Sequence, residues 1–305
     1  MKLLWVSGNQ TLRALKHQDN MTRAVDQLPM PAEVKKMKVI IASASRTGTL
    51  GLYSAMKILG YKPYHMYECA GVQGPPHMKT LEEAVIAQHN RLSGYRKYER
   101  PDFDRWLGDY DCIVEIASFI GKDIIKSYAN DPDVKFILTE RNPEKWAKSV
   151  NNTAAKVVTM GSQFPMSVLK HFDEMLSSFI SLNITVYRAF AGSTAPGDPE
   201  NERMLTEFYK EYIQMVKDVV PADRLCVIRL EDGLDWNSIC PFLEVPVPNV
   251  DYPDRNEPEK FEALVHEKLD PHIKLAMLRL GAIVVPALGV VGWMAVKYGH
   301  FFWGH

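Results

Sequence analysis

Four cysteines in 305 residues (Cys69, Cys112, Cys226 and Cys240) are too few to staple a chain of this size. They form no CxxC and have no metal-type spacing with histidine, so no metal is expected, and they read as reduced thiols in a cytosol-facing protein. Charge of one sign is also lacking. Lys plus Arg number 36 against 37 Asp plus Glu, a net charge of -1, which excludes a global field holding the protein on nucleic acid or on acidic membranes. Internal repeats and low-complexity tracts are absent. With 46% hydrophobic and 24% charged residues, the chain is neither mostly disordered nor a polytopic membrane protein, and its length suits one large domain with appendages.

Long apolar runs are missing except at one end. The start, Met1 to Asn20, has an apolar stretch of only Leu3 to Val6 and does not make a signal peptide, so the segment 1–36 reads as an N-terminal extension. The sequons at Asn20, Asn151 and Asn183 then read as chance matches. From Leu280 to Val296, by contrast, 17 residues carry no charge, with Arg279 before them, Lys297 behind, and Tyr298, Phe301, Phe302 and Trp303 near the end. As a helix this run covers about 25 Å, a little under the ~30 Å of a hydrocarbon core, and Lys297 can snorkel while the aromatics sit at the interface. Residues 275–305 are therefore expected to form a transmembrane tail that anchors a cytosolic body, residues 37–274. A buried core helix or a contact with a second copy of the chain is the other reading of this run, and a homodimer stays open.

Between the ends, short runs rich in β-branched residues alternate with helical periodicity. Lys38 to Ala42, Cys112 to Ile116, Val134 to Thr139 and Leu225 to Leu230 each suit a buried parallel strand, and Tyr61 to Met66 is a further strand-like turn. Helices are expected after the first strand, over Thr80 to His89, over Pro165 to Tyr187 and over Leu205 to Val219. This order predicts a three-layer α/β fold with a central parallel sheet, its ligand site at the carboxyl ends of the strands.

Directly after the first strand comes Ser43-Ala44-Ser45-Arg46-Thr47-Gly48-Thr49, opening a helix. A small-residue loop at a helix N-terminus presents backbone N–H groups and a positive dipole end to an anion, with Thr47 and Thr49 adding hydroxyls. A Walker A lysine is lacking, because Thr49 follows Gly48, and the cation instead precedes the glycine as Arg46. After Val134 to Thr139 comes Arg141-Asn142-Pro143, where Pro143 is placed to start a helix, with Ser149 about two turns along. Arg141 offers a fork of donors and Ser149 a hydroxyl to one anionic group.

The pair of segments, SRTGT after one strand and RNPEKWAKS after another, resembles the sulfotransferase family that uses 3′-phosphoadenylyl sulfate (PAPS), and over Met37 to Phe261 it is similar to a fungal sulfotransferase-like P-loop branch, a type found in secondary metabolism. The resemblance implies a PAPS-dependent enzyme that sulfates a hydroxyl of a small, lipophilic molecule and releases PAP without a metal. It implies that Ser45, Arg46, Thr47, Gly48 and Thr49 grip the 5′-phosphosulfate and that Arg141 and Ser149 bind the 3′-phosphate. The chain departs from the family in carrying Arg46 where better-studied members have lysine; Arg46 then stabilises the leaving phosphate by charge alone. The expected aromatic that stacks on adenine aligns with Gly51, with Tyr53 nearby. The family's base is a His or Glu at a strand end, for which Glu115 is the first candidate and His65 the second, with Glu115 as a buried partner of Arg46 the competing role. A nucleotide phosphotransferase and a catalytically degenerate membrane-anchored nucleotide-binding protein are the other functions the sequence leaves open.

Overall fold

The computed structural model describes residues 22–253 and 258–302, and side chains 258–266 and 299–302 are not described. The sequons at Asn20 and the start of the N-terminal extension lie outside these residues.

Five strands, β1 (Val39–Ile41), β2 (Pro63–Tyr64), β3 (Cys112–Val114), β4 (Lys135–Glu140) and β5 (Leu225–Arg229), form one parallel sheet in the order β2-β3-β1-β4-β5. β1 lies at the centre, with Ile41 opposite Val114 of β3 and Ile137 of β4. All carboxyl ends therefore face the same edge, where the segments after β1, β3 and β4 converge.

Apolar residues on both faces of the central strands make this a three-layer sandwich. Successive residues point to opposite faces, so Ile40, Ile113 and Phe136 join the core under helices Pro75–His89, Glu174–Phe190 and Asn201–Val219. Val39, Ile41, Val114 and Ile137 pack instead against helices Thr49–Ile58 and Trp236–Leu243. The run Leu225 to Leu230 is not a fully buried strand. β5 is the sheet edge with one neighbour, and of its residues only Ile228 is buried.

The helix expected over Pro165 to Tyr187 is interrupted. A turn Met166–Leu169 and a 3₁₀ turn Lys170–Phe172 precede Asp173, whose extended backbone and side chain cap the helix Glu174–Phe190 by accepting from the Met175 and Leu176 N–H groups.

The C-terminal run belongs to one helix, Pro258–Phe302, that starts well before the uncharged stretch and crosses residues 274 and 275 without a break. The stretch from Leu269 to Leu280 is docked on the body. Leu269 and Ala276 are buried, with Ile273 and Leu280 packed beside them, a stripe at helical spacing. His272 Nδ1 lies 3.0 Å from Asp173 Oδ1, and Arg279 donates to the Phe172 carbonyl at 2.7 Å. From Ala282 on, the described side chains are exposed. The helix is long and apolar enough over Glu267–Tyr298 to cross a membrane, with mean hydropathy 2.0 over its most apolar window.

Candidate active site

The loop after β1 is held from behind by its neighbours. Trp146 Nε1 donates to the Ser45 carbonyl at 2.7 Å, and the Trp146 ring stacks on Tyr209, 4.6 Å between centroids. Thr139, at the end of β4, donates its N–H to Ser43 Oγ at 2.8 Å and its hydroxyl to the Thr47 carbonyl at 2.9 Å. Thr47 is fully buried and turns its own hydroxyl inward, 2.6 Å from the Ala44 carbonyl and 2.7 Å from Thr139 Oγ1. What Thr47 presents to a ligand is its backbone, and its side chain is a brace of the loop.

Gly48 caps the helix Thr49–Ile58 in the left-handed conformation, φ +86°. A Cβ there would come within 2.8 Å of Leu234 Cδ1 and 3.1 Å of Leu230 Cδ1, so glycine is required by both conformation and space. The first-turn N–H groups that follow have no intrahelical partner and face an anion as a positive dipole end. Thr49 is largely buried in that first turn.

Helix Pro143–Asn151 begins as the sequence suggests, with Pro143 in its first turn and Asn142 accepting from the Lys145 N–H. Arg141 is gripped at both ends: its N–H donates to the Tyr209 hydroxyl at 2.9 Å, and its Nη1 donates to the Arg46 carbonyl at 2.9 Å. Arg46 Nε in turn donates to Ser149 Oγ at 3.3 Å. Arg46, Arg141 and Ser149 thus share an open cleft of about 390 Å³ with Lys145, Lys148, Asn152 and Thr153. Four cations in one cleft repel one another unless an anion joins them. Burial lowers the pKa of Arg46, Glu115 opposes this, and the neighbouring Arg141 lowers it further.

Sequence reasoning missed Lys145 and Lys148, although residues 145, 148, 149 and 152 fall on one face of a helix started by Pro143.

The two candidate bases form a pair. β2 beside β3, with Tyr64 opposite Ile113, brings His65 to Glu115, and His65 Nε2 approaches Glu115 Oε2 to 2.7 Å, though not in the alignment of a hydrogen bond. His65 Nδ1 accepts the Tyr67 N–H at 3.1 Å, which leaves the proton of a neutral ring on Nε2, facing the carboxylate. Both side chains are buried. Burial by itself raises the Glu115 pKa, but His65, the Ser45 hydroxyl and Arg46 together outweigh it, so the value is lowered and the group is ionised at neutral pH. Glu115 is therefore partnered by His65, and Arg46 acts on it at longer range.

Glu115 also lies just past β3 rather than within it, at φ +69°, ψ -43°, a strained turn that opens the helix Ile116–Ile120. Arg46 shares the positive φ, at +70°. Tyr53 packs its ring 5.1 Å from that of His65 and donates its hydroxyl to Glu68, so it supports the pair and offers no open face to a base. His77 is held by Tyr64 and Trp106, and burial pushes it down to about 4; His89 contacts the Phe119 carbonyl.

A parallel sheet whose central loop and neighbouring helix build a cationic cleft, with an ionised carboxylate at the next strand end, is an α/β layout suited to an anionic ligand. A family model described as a sulfotransferase domain matches residues 38–261, and the chain belongs to that family. It is 33% identical over 219 residues to Ava biosynthesis cluster protein M of Aspergillus versicolor, covering 71% of this chain and 80% of that protein. A sulfotransferase from Alicyclobacillus acidocaldarius, known by its crystal structure, shares 16% identity with a TM-score of 0.37, over 82% of this chain and 96% of the other.

Proposed function

We propose that the protein transfers the sulfuryl group of PAPS to a hydroxyl of a small lipophilic molecule, from a body anchored in the membrane by its C-terminal helix. The observation that carries this reading is the cleft in which Arg46, Arg141, Lys145, Lys148 and Ser149 converge beside the loop Ser45 to Thr49. An adenine nucleotide with phosphate at both ends of its ribose suits it. The loop N–H groups and the helix dipole hold the 5′-phosphosulfate, and Arg141 with Ser149 and the two lysines hold the 3′-phosphate.

In the transfer, the acceptor oxygen forms a bond to sulfur as the bond from sulfur to the bridging phosphate oxygen breaks. Glu115 takes the acceptor's proton. Arg46 stabilises the charge that collects on the departing phosphate, as a fixed cation that loses no proton. His65 acts through Glu115. With Nδ1 accepting a backbone N–H and Nε2 turned to the carboxylate, it positions the base and steadies its charge rather than facing the acceptor. The curated relative's place in a biosynthesis cluster supports a small-molecule acceptor.

Calorimetry with PAP, ADP and ATP tests the donor: PAP is expected to bind best and without Mg²⁺. Transfer of labelled sulfate from PAPS to a panel of phenols and alcohols tests the chemistry. Preference for Mg·ATP over PAP, or no transfer to any acceptor, overturns the proposal.

A further inference from the structure

The body exposes its own apolar surface where the tail helix leaves it. The segment Met160 to Leu169 runs from the last turn of helix Ala154–Ser162 through the turn Met166–Leu169, and its Phe164 is 82% exposed, with Met160 and Val168 also open to solvent. This segment is anchored to the tail's docking site: the turn Met166–Leu169 packs against the tail helix, and Lys170, next in the chain, donates to the Gly161 carbonyl at 3.1 Å. On the tail itself, Leu275, Met277 and Leu278 are exposed on the side turned away from the body. Apolar side chains are thus open to solvent both on the body and on the helix docked to it.

Length fits the same geometry. Between Lys274 and Lys297 the only charge is Arg279, and it is held by Asp173 and the Phe172 carbonyl of the body. With that charge paired, the apolar span runs from Leu275 to Val296, 22 residues. That is about 33 Å of helix, enough to fill a hydrocarbon core. A span that starts at Leu275 puts the docked residues Phe172 and Asp173 at the level of the lipid headgroups, and Phe164 lies only two residues before the turn Met166–Leu169 that packs on the same helix. Cations accompany the patch: Lys156 lines the same surface cleft as Phe164, Lys170 follows the turn in the chain, and Lys274 directly precedes the span, with Lys156 and Lys274 exposed and Lys170 half-buried.

The geometry points to a second membrane contact, in which Phe164, Met160 and Val168 insert into the headgroup layer of an anionic leaflet while Lys156, Lys170 and Lys274 meet its phosphates. This inference rests on the tail being a membrane anchor. Its occupant is a lipid surface because the patch flanks the turn packed on the tail helix and is accompanied by Lys156, Lys170 and Lys274. It fixes the catalytic body against the bilayer instead of leaving it on a stalk.

The test uses the full-length protein reconstituted in bilayer discs of phosphatidylcholine, with and without phosphatidylserine. An environment-sensitive fluorescent residue is placed, one position at a time, at 164, at 293 within the span, and at 92. Leu92 is 96% exposed and follows helix Pro75–His89, which runs alongside Glu174–Phe190 with Lys79 on Glu174 and Glu82 on Thr185, so position 92 lies at the end away from the tail. With a quencher carried on the lipid, emission at 164 is expected to fall by about half or more, because side chains at the interface sit ~5–10 Å into the headgroup boundary. Emission at 92 should be unchanged, and quenching at 164 should be stronger with phosphatidylserine. Quenching at 293 with none at 164, or equal quenching at 164 and 92, overturns the second contact and leaves the anchor standing. No quenching at 293 removes the anchor, and this inference with it.

Discussion

Replacing Arg141 with alanine separates two roles that the structure gives one side chain. Its Nη1 braces the Arg46 carbonyl at 2.9 Å, and the same guanidinium lines the cleft proposed for the 3′-phosphate. The brace is a hydrogen bond between a charged donor and a partly exposed carbonyl, worth ~0.5–1.5 kcal/mol net, whereas a charge-assisted contact to phosphate contributes ~1.5–3 kcal/mol. The backbone at residue 141 stays in place, because its N–H is held by the Tyr209 hydroxyl independently of the side chain. Titration calorimetry of R141A should use PAP and AMP, which differ only by the 3′-phosphate. AMP should lose no more than the brace, about twofold to tenfold, while PAP loses a further factor of about 10 to 100. An unchanged thermal melt of R141A guards against global damage. Equal losses for both nucleotides would refute the assignment of the 3′-phosphate to Arg141 and reduce it to a loop support.

Glu115→Gln should lower kcat by ~10²–10⁴-fold with PAP affinity little changed, as for loss of a general base, and retained turnover would move the base to His65. Gly48→Ala forces a Cβ to within 2.8 Å of Leu234 at φ +86°, and should destabilise the fold by ~2–4 kcal/mol, read as a lower urea midpoint. Glu115 has its pKa lowered in the folded protein from 4.5, so the stability it contributes is full above that unfolded value and is lost as pH falls through the lower folded one. The stability gap between wild type and E115Q, measured by urea unfolding, should therefore narrow on acidification below about pH 4.5; a gap independent of pH would show that the carboxylate is not held ionised.

How much of the site could be read from the chain depended on how local each signal was. The loop Ser43 to Thr49 and the start at Pro143 were legible because strand, small residues and helix follow one another, and a proline in a first turn has few other places to go. Arg141 and Ser149, eight residues apart, meet Arg46 in one cleft for the same reason. The pairing of His65 with Glu115 was not legible. Fifty residues separate them, and only the register of β2 on β3 brings them into contact. Nor did composition show that Thr47 would spend its hydroxyl on Thr139, since a loop threonine reads alike whether it faces ligand or core. At the C-terminus the uncharged run was plain, but its docking depended on Asp173, which looked like a residue inside a longer helix and proved to be a cap that also meets His272 and Arg279.

The crowding of Arg141, Lys145 and Lys148 around the 3′-phosphate has a kinetic consequence on the proposed reading. These side chains gather around parts of the nucleotide that do not change when sulfate departs, so donor and spent product hold the cleft by nearly the same contacts. Binding strength placed there raises occupancy without favouring the reaction's forward direction. Turnover would then be paced by the escape of PAP, and the protein would work fastest beside an activity that destroys it.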